Sequence, residues 1–203
     1  RAHSHIQLCA SLGLLDEAEL PTDLSKEAST ELSSELSSEL SEETDILPLR
    51  FKKPWSVYFA GLNKTIRRDT LFDWTDEQDH SIRYYSGRAV YTNTFNWTDD
   101  RKMPVAYLRL GRVENLAVIK VNGVECGTAW TAPYQVEVTA ALRKGKNTLE
   151  IEIINTWANA IRGMDRGEPP FNGIWTNARY RLDGTELVPA GLFGPLEMRL
   201  SVP

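Results

Sequence analysis

The sequence predicts an all-β protein, an antiparallel β-sandwich, preceded by a helical or disordered N-terminal extension. Three observations predict it. Several short runs alternate apolar and polar residues with the period of a half-buried strand. Those runs are separated by Gly, Pro and Asn, without the long amphipathic segments that would make a parallel α/β protein. The polar faces of the alternating runs point to antiparallel sheets with one wet side.

The elements follow in order. "RAVYTNTF" (Arg88 to Phe95) puts Ala89, Tyr91, Asn93 and Phe95 on one face, and Val90, Thr92 and Thr94 on the other. "VAYLRLG" ends in a turn at Gly111. "LAVIKVNGVECG" holds Asn122-Gly123 between two apolar runs, the strongest local signal for a tight hairpin because both central residues tolerate positive φ. "YQVEV" sets Tyr134, Val136 and Val138 against Gln135 and Glu137. "TAALRKGKN" reads as one helical turn, capped by Thr139 and stopped by Gly145. "NTLEIEII" sets Leu149, Ile151 and Ile153 inward. "PLEMRLSV" closes with Leu196, Met198 and Leu200 on one side.

Composition changes near residue 47 and divides the chain into 1–46 and 47–203. The first part contains "KEASTELSSELSSELSEETD", in which Leu32, Leu36 and Leu40 recur every four residues. A solvated acidic linker and a short docked helix both fit this stretch. Upstream, "HIQLCASLGLLDEAEL" has the apolar content of an amphipathic helix that Pro21 would end.

The whole chain of 203 residues carries a net charge of −5, which argues against nucleic acid as a partner. No apolar run approaches the roughly 20 residues of a membrane-spanning helix. The two cysteines, Cys9 and Cys126, are too few for a disulfide scaffold, and Cys126 reads as a small packing residue. His3, His5 and His80 have no neighbours at metal-ligand spacing. Glycoside hydrolysis needs two carboxylates about 5–10 Å apart, and no pair stands out from the solvated acids here. Acidic turns at Asp73 to Asp79 and at Thr98 to Asp100 could offer oxygen ligands to a structural calcium, but neither has the spacing of a calcium loop. No other cofactor is expected.

The aromatic residues carry the binding signal. Sugars present flat C–H faces that stack on Trp and Tyr, while Asn and Arg hydrogen-bond their hydroxyls. Trp130, Tyr134, Trp157 and Trp175 lie in or beside turn-rich segments, as does Phe171, and each could stack on a sugar or pack in the core or at its rim. Asn155, Asn159 and Arg162 follow a strand end, where they could reach a sugar or simply tie the loop to itself. Trp55, Trp74 and Trp97 read as packing residues. In "SIRYYSGRAVY", Gly87 permits a bend into the strand, one tyrosine wedges the sandwich end, and Arg83 is expected to pair with an acid of "DWTDEQD".

In order, "AVYTNTF", "AYLRLGRVENLAVIKVNGVECGTAW" and "APYQVEVTAALRKGKNTLEIEIINTW" resemble the sugar-binding-like jelly-roll domain of glycoside hydrolase family 2. "PWSVYF", "FDWT", "SIRYYSGRAVY" and "LVPAGLFGPLEMRL" narrow this to the C-terminal β-sandwich of family-106-type α-L-rhamnosidases. The resemblance covers roughly Leu47 to the C-terminus. It departs after Trp157, where Ala160 and Met164 stand in place of the relatives' arginine and aspartate. It implies a jelly-roll, galactose-binding-like fold and a non-catalytic accessory domain of a bacterial, periplasmic or extracellular enzyme. The implied partners are a glycan or oligosaccharide and a catalytic domain of the same polypeptide. A stand-alone carbohydrate-binding module and a purely structural brace remain the alternatives.

Overall fold

A computed structural model describes residues 45–98, 105–177 and 186–201, all within one compact unit, Glu43–Pro203. The expected N-terminal helix and the Leu32–Leu40 stripe lie outside the described residues, as do Cys9, His3, His5, Asp99 and Asp100.

The described elements are β1 (Asp45–Pro48), β2 (Trp55–Phe59), β3 (Lys64–Arg68), α1 (His80–Arg83), β4 (Arg88–Trp97), β5 (Val105–Arg109) and β6 (Arg112–Val113). They continue with β7 (Leu116–Val121), β8 (Val124–Ala129), β9 (Gln135–Glu137), β10 (Gly145–Ile154), α2 (Ala158–Asp165), β11 (Leu192–Phe193) and β12 (Glu197–Ser201). One antiparallel sheet has the order β3-β2-β4-β10-β7-β8, and a second has the order β1-β12-β5-β9. A small ribbon pairs β11 with β6. The chain passes back and forth between the two large sheets, which is the β-sandwich the alternation predicts.

The predicted inward faces form the core. Ala89, Tyr91 and Phe95 of β4 meet Leu149, Ile151 and Ile153 of β10 and Ala117, Ile119 and Val121 of β7, all buried. From the other sheet come Ala106, Leu108, Val136, Met198 and Leu200. Each Val, Leu, Ile, Phe or Met among them contributes about 1.5–3 kcal/mol by leaving water. Trp55 and Trp74 are buried and Trp97 is partly buried against the core, as read from the sequence. Trp74 forms an edge-to-face cluster with Phe59 and Tyr85, at centroid distances of 5.3 and 5.7 Å, and donates its indole N–H to Tyr91 at 2.6 Å.

Asn122 and Gly123 take φ of 53° and 79°, so the β7–β8 hairpin turns where the sequence places it. A register shift after Ile119 makes a bulge in that hairpin, whose extra residue, Cys126 of β8, packs against the core. Burial pushes the Cys126 thiol above its ordinary pKa, so it is a packing residue rather than a nucleophile.

Two local expectations are corrected. Thr139 does not cap its turn: the turn Thr139–Ala141 begins after Val138, and the Thr139 hydroxyl accepts from Ala106 N–H at 2.9 Å. Pairing across the two sheet elements competes better for that oxygen than a three-residue turn does. Arg83 does not pair with a carboxylate of its neighbouring acidic stretch. Its Nε donates to the Glu77 carbonyl at 2.7 Å, because the Glu77 carboxylate is already held by Arg68 at 2.7 Å.

Candidate functional site

At one end of the six-stranded sheet β4 begins and β10, β8 and α1 finish. Asn155, just past β10, is the knot of this end. Its Oδ1 accepts from Gly87 N–H at 2.8 Å, and its Nδ2 donates to the Tyr85 carbonyl at 2.9 Å. Gly87 has φ of 145°, and a Cβ there would lie 2.8 Å from the Tyr85 hydroxyl, so only glycine fits the bend. Tyr85 is the wedge: its hydroxyl accepts from Gly61 N–H at 2.8 Å and donates to the Arg88 carbonyl at 2.9 Å. Burial raises its pKa, which keeps it a neutral strut.

The helix α2 packs directly on this knot. Ala160 is fully buried, with its N–H on the Ser86 hydroxyl at 3.3 Å, so an arginine at this position would have no room. Asn159 is buried and clamps the far loop through both Val188 groups, donating to O at 2.7 Å and accepting from N–H at 2.9 Å. A Cβ on Gly163 would sit 2.7 Å from Tyr84 Cγ, so the helix and the Tyr84 ring are in contact. The Tyr84 hydroxyl then donates to Glu168 at 2.8 Å, and His80 Nδ1 lies 3.6 Å from the same carboxylate. This ties down the start of the loop that carries Phe171 and Trp175.

Of the residues singled out in the sequence, the fold separates two groups. Asn155 and Asn159 have both side-chain polar atoms engaged inside the fold. Tyr134 is partly buried against the core, with its carbonyl accepting from Leu110 N–H at 2.8 Å. Arg162 lies half-buried on α2. By contrast Trp130, Trp157 and Trp175 are 68%, 58% and 80% exposed. Ala117 pairs with both Ala129 and Ile153, so Trp130 and Trp157 leave the sheet at the same end, from β8 and β10. Phe171 stands edge-on to Trp157 at 6.0 Å, which brings the Trp175 loop to that end too. Asn115 was not singled out; its Oδ1 accepts from Thr156 N–H at 3.3 Å between the two strand ends, and its φ of 81° is a conformation that asparagine tolerates.

The carboxylates around this unit do structural work. Asp73 accepts from Thr75 N–H and Ala190 N–H at 2.9 and 3.1 Å. Asp79 caps α1 and meets Lys64, and the Lys64 ammonium, with Ser81, lowers its pKa to about 2. A general acid needs the opposite shift. Among the described residues no group of three or more His, Cys, Asp or Glu side chains is placed to hold a metal ion.

Comparison with known proteins places this geometry. The model of the glycosyl hydrolase 2 galactose-binding domain-like family matches residues 35–187. The chain belongs to that family. A putative β-glucuronidase of Formosa agariphila is 28% identical over 184 residues, covering 76% of this chain and 16% of that protein. A solved rhamnosidase from Novosphingobium sp. PP1Y is 34% identical with a TM-score of 0.67, covering 77% of this chain and 15% of that one. A solved β-D-glucuronidase of Dictyoglomus thermophilum shares the fold at 19% identity and a TM-score of 0.54, over 78% of this chain and 28% of its own. This galactose-binding-like chain thus spans only a small part of the glycosidases it resembles, one of them the kind of enzyme the sequence suggested.

Proposed function

We propose that this galactose-binding-like chain is a non-catalytic accessory domain of a multidomain, rhamnosidase-like glycoside hydrolase, and that its aromatic end contacts glycan. The observation that carries the reading is the exposure of Trp130, Trp157 and Trp175 at one end of the sandwich. Large aromatic rings are costly to leave in water and are suited to the apolar faces of sugar rings. Asn155, Asn159 and Tyr84 act as positioning residues that hold the strand end, α2 and the loop beneath them. The catalytic carboxylates belong to the rest of the enzyme, which acts on polysaccharide in the periplasm or outside a bacterial cell.

The test is calorimetric titration of the chain with rhamnose-containing and glucuronic-acid-containing oligosaccharides. Binding that falls tenfold or more in Trp130→Ala or Trp175→Ala supports the reading; a tenfold loss is about 1.4 kcal/mol. Silence across the whole set overturns it.

A second reading, an interdomain brace, is favoured by one observation elsewhere. An open depression of about 290 Å³ is lined mainly by Leu49, Phe51, Trp55, Leu71, Pro195 and Leu196, a largely apolar surface. A brace predicts that glycan binding is absent and that Leu71→Asp weakens association with the rest of the enzyme.

A further inference from the structure

The opposite end of the six-stranded sheet has a different chemistry. There β4 finishes at Trp97 and β10 starts at Gly145, which pair directly; Lys146 pairs with Asn96. Two short basic runs far apart in sequence, "RFKK" and "RKGK", converge on this end. They supply Arg50, Lys52, Lys53, Arg143, Lys144 and Lys146, all exposed. Four of these cations, with Trp97 and Asn96, border an open depression of about 810 Å³ whose described lining includes no carboxylate. No described residue forms an ion pair with any of the six. Elsewhere Lys64, Arg68, Arg88, Arg112 and Lys120 each face a carboxylate.

The cations sit on anchored backbone. Leu49 N–H donates to the Leu196 carbonyl at 2.9 Å, and buried Asn93 donates to the Lys53 carbonyl at 2.9 Å. Between them Phe51 packs on Trp55 and Phe95 at 4.6 and 6.4 Å. On the other side, fully buried Asn147 bonds both the N–H and carbonyl of Arg143 and the carbonyl of Gly145. Six exposed cations at one end of the unit, facing no described carboxylate, make a local positive field suited to an anionic ligand.

We propose that this end is a second recognition site, for an anionic glycan carrying uronate carboxylates or sulfate esters. Its backbone anions would lie along the two basic runs, with a sugar face against the partly exposed Trp97. The inference borrows from the preceding reading only that the ligand is a glycan, and it needs none of the exposed tryptophans.

The 203-residue chain is run in affinity electrophoresis against polygalacturonate, dextran sulfate and neutral dextran at low and at 0.5 M salt. Retardation by an anionic polymer, none by dextran, and loss at high salt is the expected result, because screening shortens the reach of exposed charges to a few ångströms. Polygalacturonate alone would name carboxylate, and dextran sulfate alone sulfate. Lys52→Ser/Lys53→Ser/Lys146→Ser should weaken retention tenfold or more. Lys120→Ser, on the outer face of β7, should leave it unchanged. Trp130→Ala and Trp175→Ala should also leave it unchanged, which separates this site from the aromatic end. Equal retention of the triple variant and wild type, no retention by either anion, or displacement of the glycan by an oligothymidylate of equal charge would overturn the assignment.

Discussion

At one end of the long sheet Asn155 and Asn159 hold the chain together, and at the other Asn122 and Asn147 do. Each pair works in the same way, by giving side-chain hydrogen bonds to backbone groups at the strand ends and turns. What each end then presents is opposite: three exposed tryptophans against six exposed cations. The contrast teaches that anchoring and display are divided between different side chains here. The asparagines make loop geometry reproducible, and the residues beside them supply the surface.

Substitutions can break that division at either end, and the expected effects run from large to small. Asn147→Ala should be the most damaging, since it strands both backbone groups of Arg143 and the Gly145 carbonyl and takes one of two acceptors from Asn122 Nδ2. A loss of about 3 kcal/mol is expected from the cost of buried unsatisfied groups, seen as a melting temperature about 6–12 °C lower. Gly163→Ala should cost about 2 kcal/mol at the aromatic end, because a Cβ would meet Tyr84 and the Glu168 carbonyl at 2.7 and 2.8 Å. Chemical denaturation would register it, and glycan binding at the aromatic end should fall with it. Glu168→Gln removes the charged acceptor of the Tyr84 hydroxyl and should cost only about 1 kcal/mol. Its signature is local: faster amide hydrogen exchange in residues 166–177 and no change around residues 143–147.

The smallest effect sharpens the comparison through pH. The folded pKa of Asp79 is lowered from 3.8 to about 2, so its contribution is complete above about pH 5 and is lost as pH falls through 2. Because the Lys64–Asp79 pair is well exposed to solvent, that contribution should be no more than about 1 kcal/mol. Melting curves of wild type and Asp79→Asn should differ by a constant amount above about pH 5 and converge below about pH 2. A difference that grows on acidification would mean the carboxylate is not paired in the folded state.

Much of this was legible in residue order. Period-2 alternation in "RAVYTNTF" and "NTLEIEII" names the inward residues one by one, because a strand turns successive side chains to opposite faces. Asn122-Gly123 names its turn because few residues accept positive φ. The exposed tryptophans were legible as a class, from their turn-rich surroundings. The fate of Asn155, Asn159 and Tyr134 was not, since a polar side chain after a strand can face out or tie the backbone, and only its neighbours decide. Thr139 illustrates the same limit: its local role as a cap lost to Ala106, a partner 33 residues away.

The basic end is the clearest case of what lay beyond a linear reading. "RFKK" and "RKGK" are each unremarkable as solvated charge, and their sum is hidden in a chain of net negative charge. Residue order by itself determined the strand faces, the hairpin, the core tryptophans and the family, because these rest on local stereochemistry and on an ordered set of short patterns. Tertiary structure alone decided which distant segments share an end of the sheet. That decision depends on the pairing of β4 with β10, a long-range register that brings Trp97 to Gly145 at one end and Arg88 to Ile154 at the other.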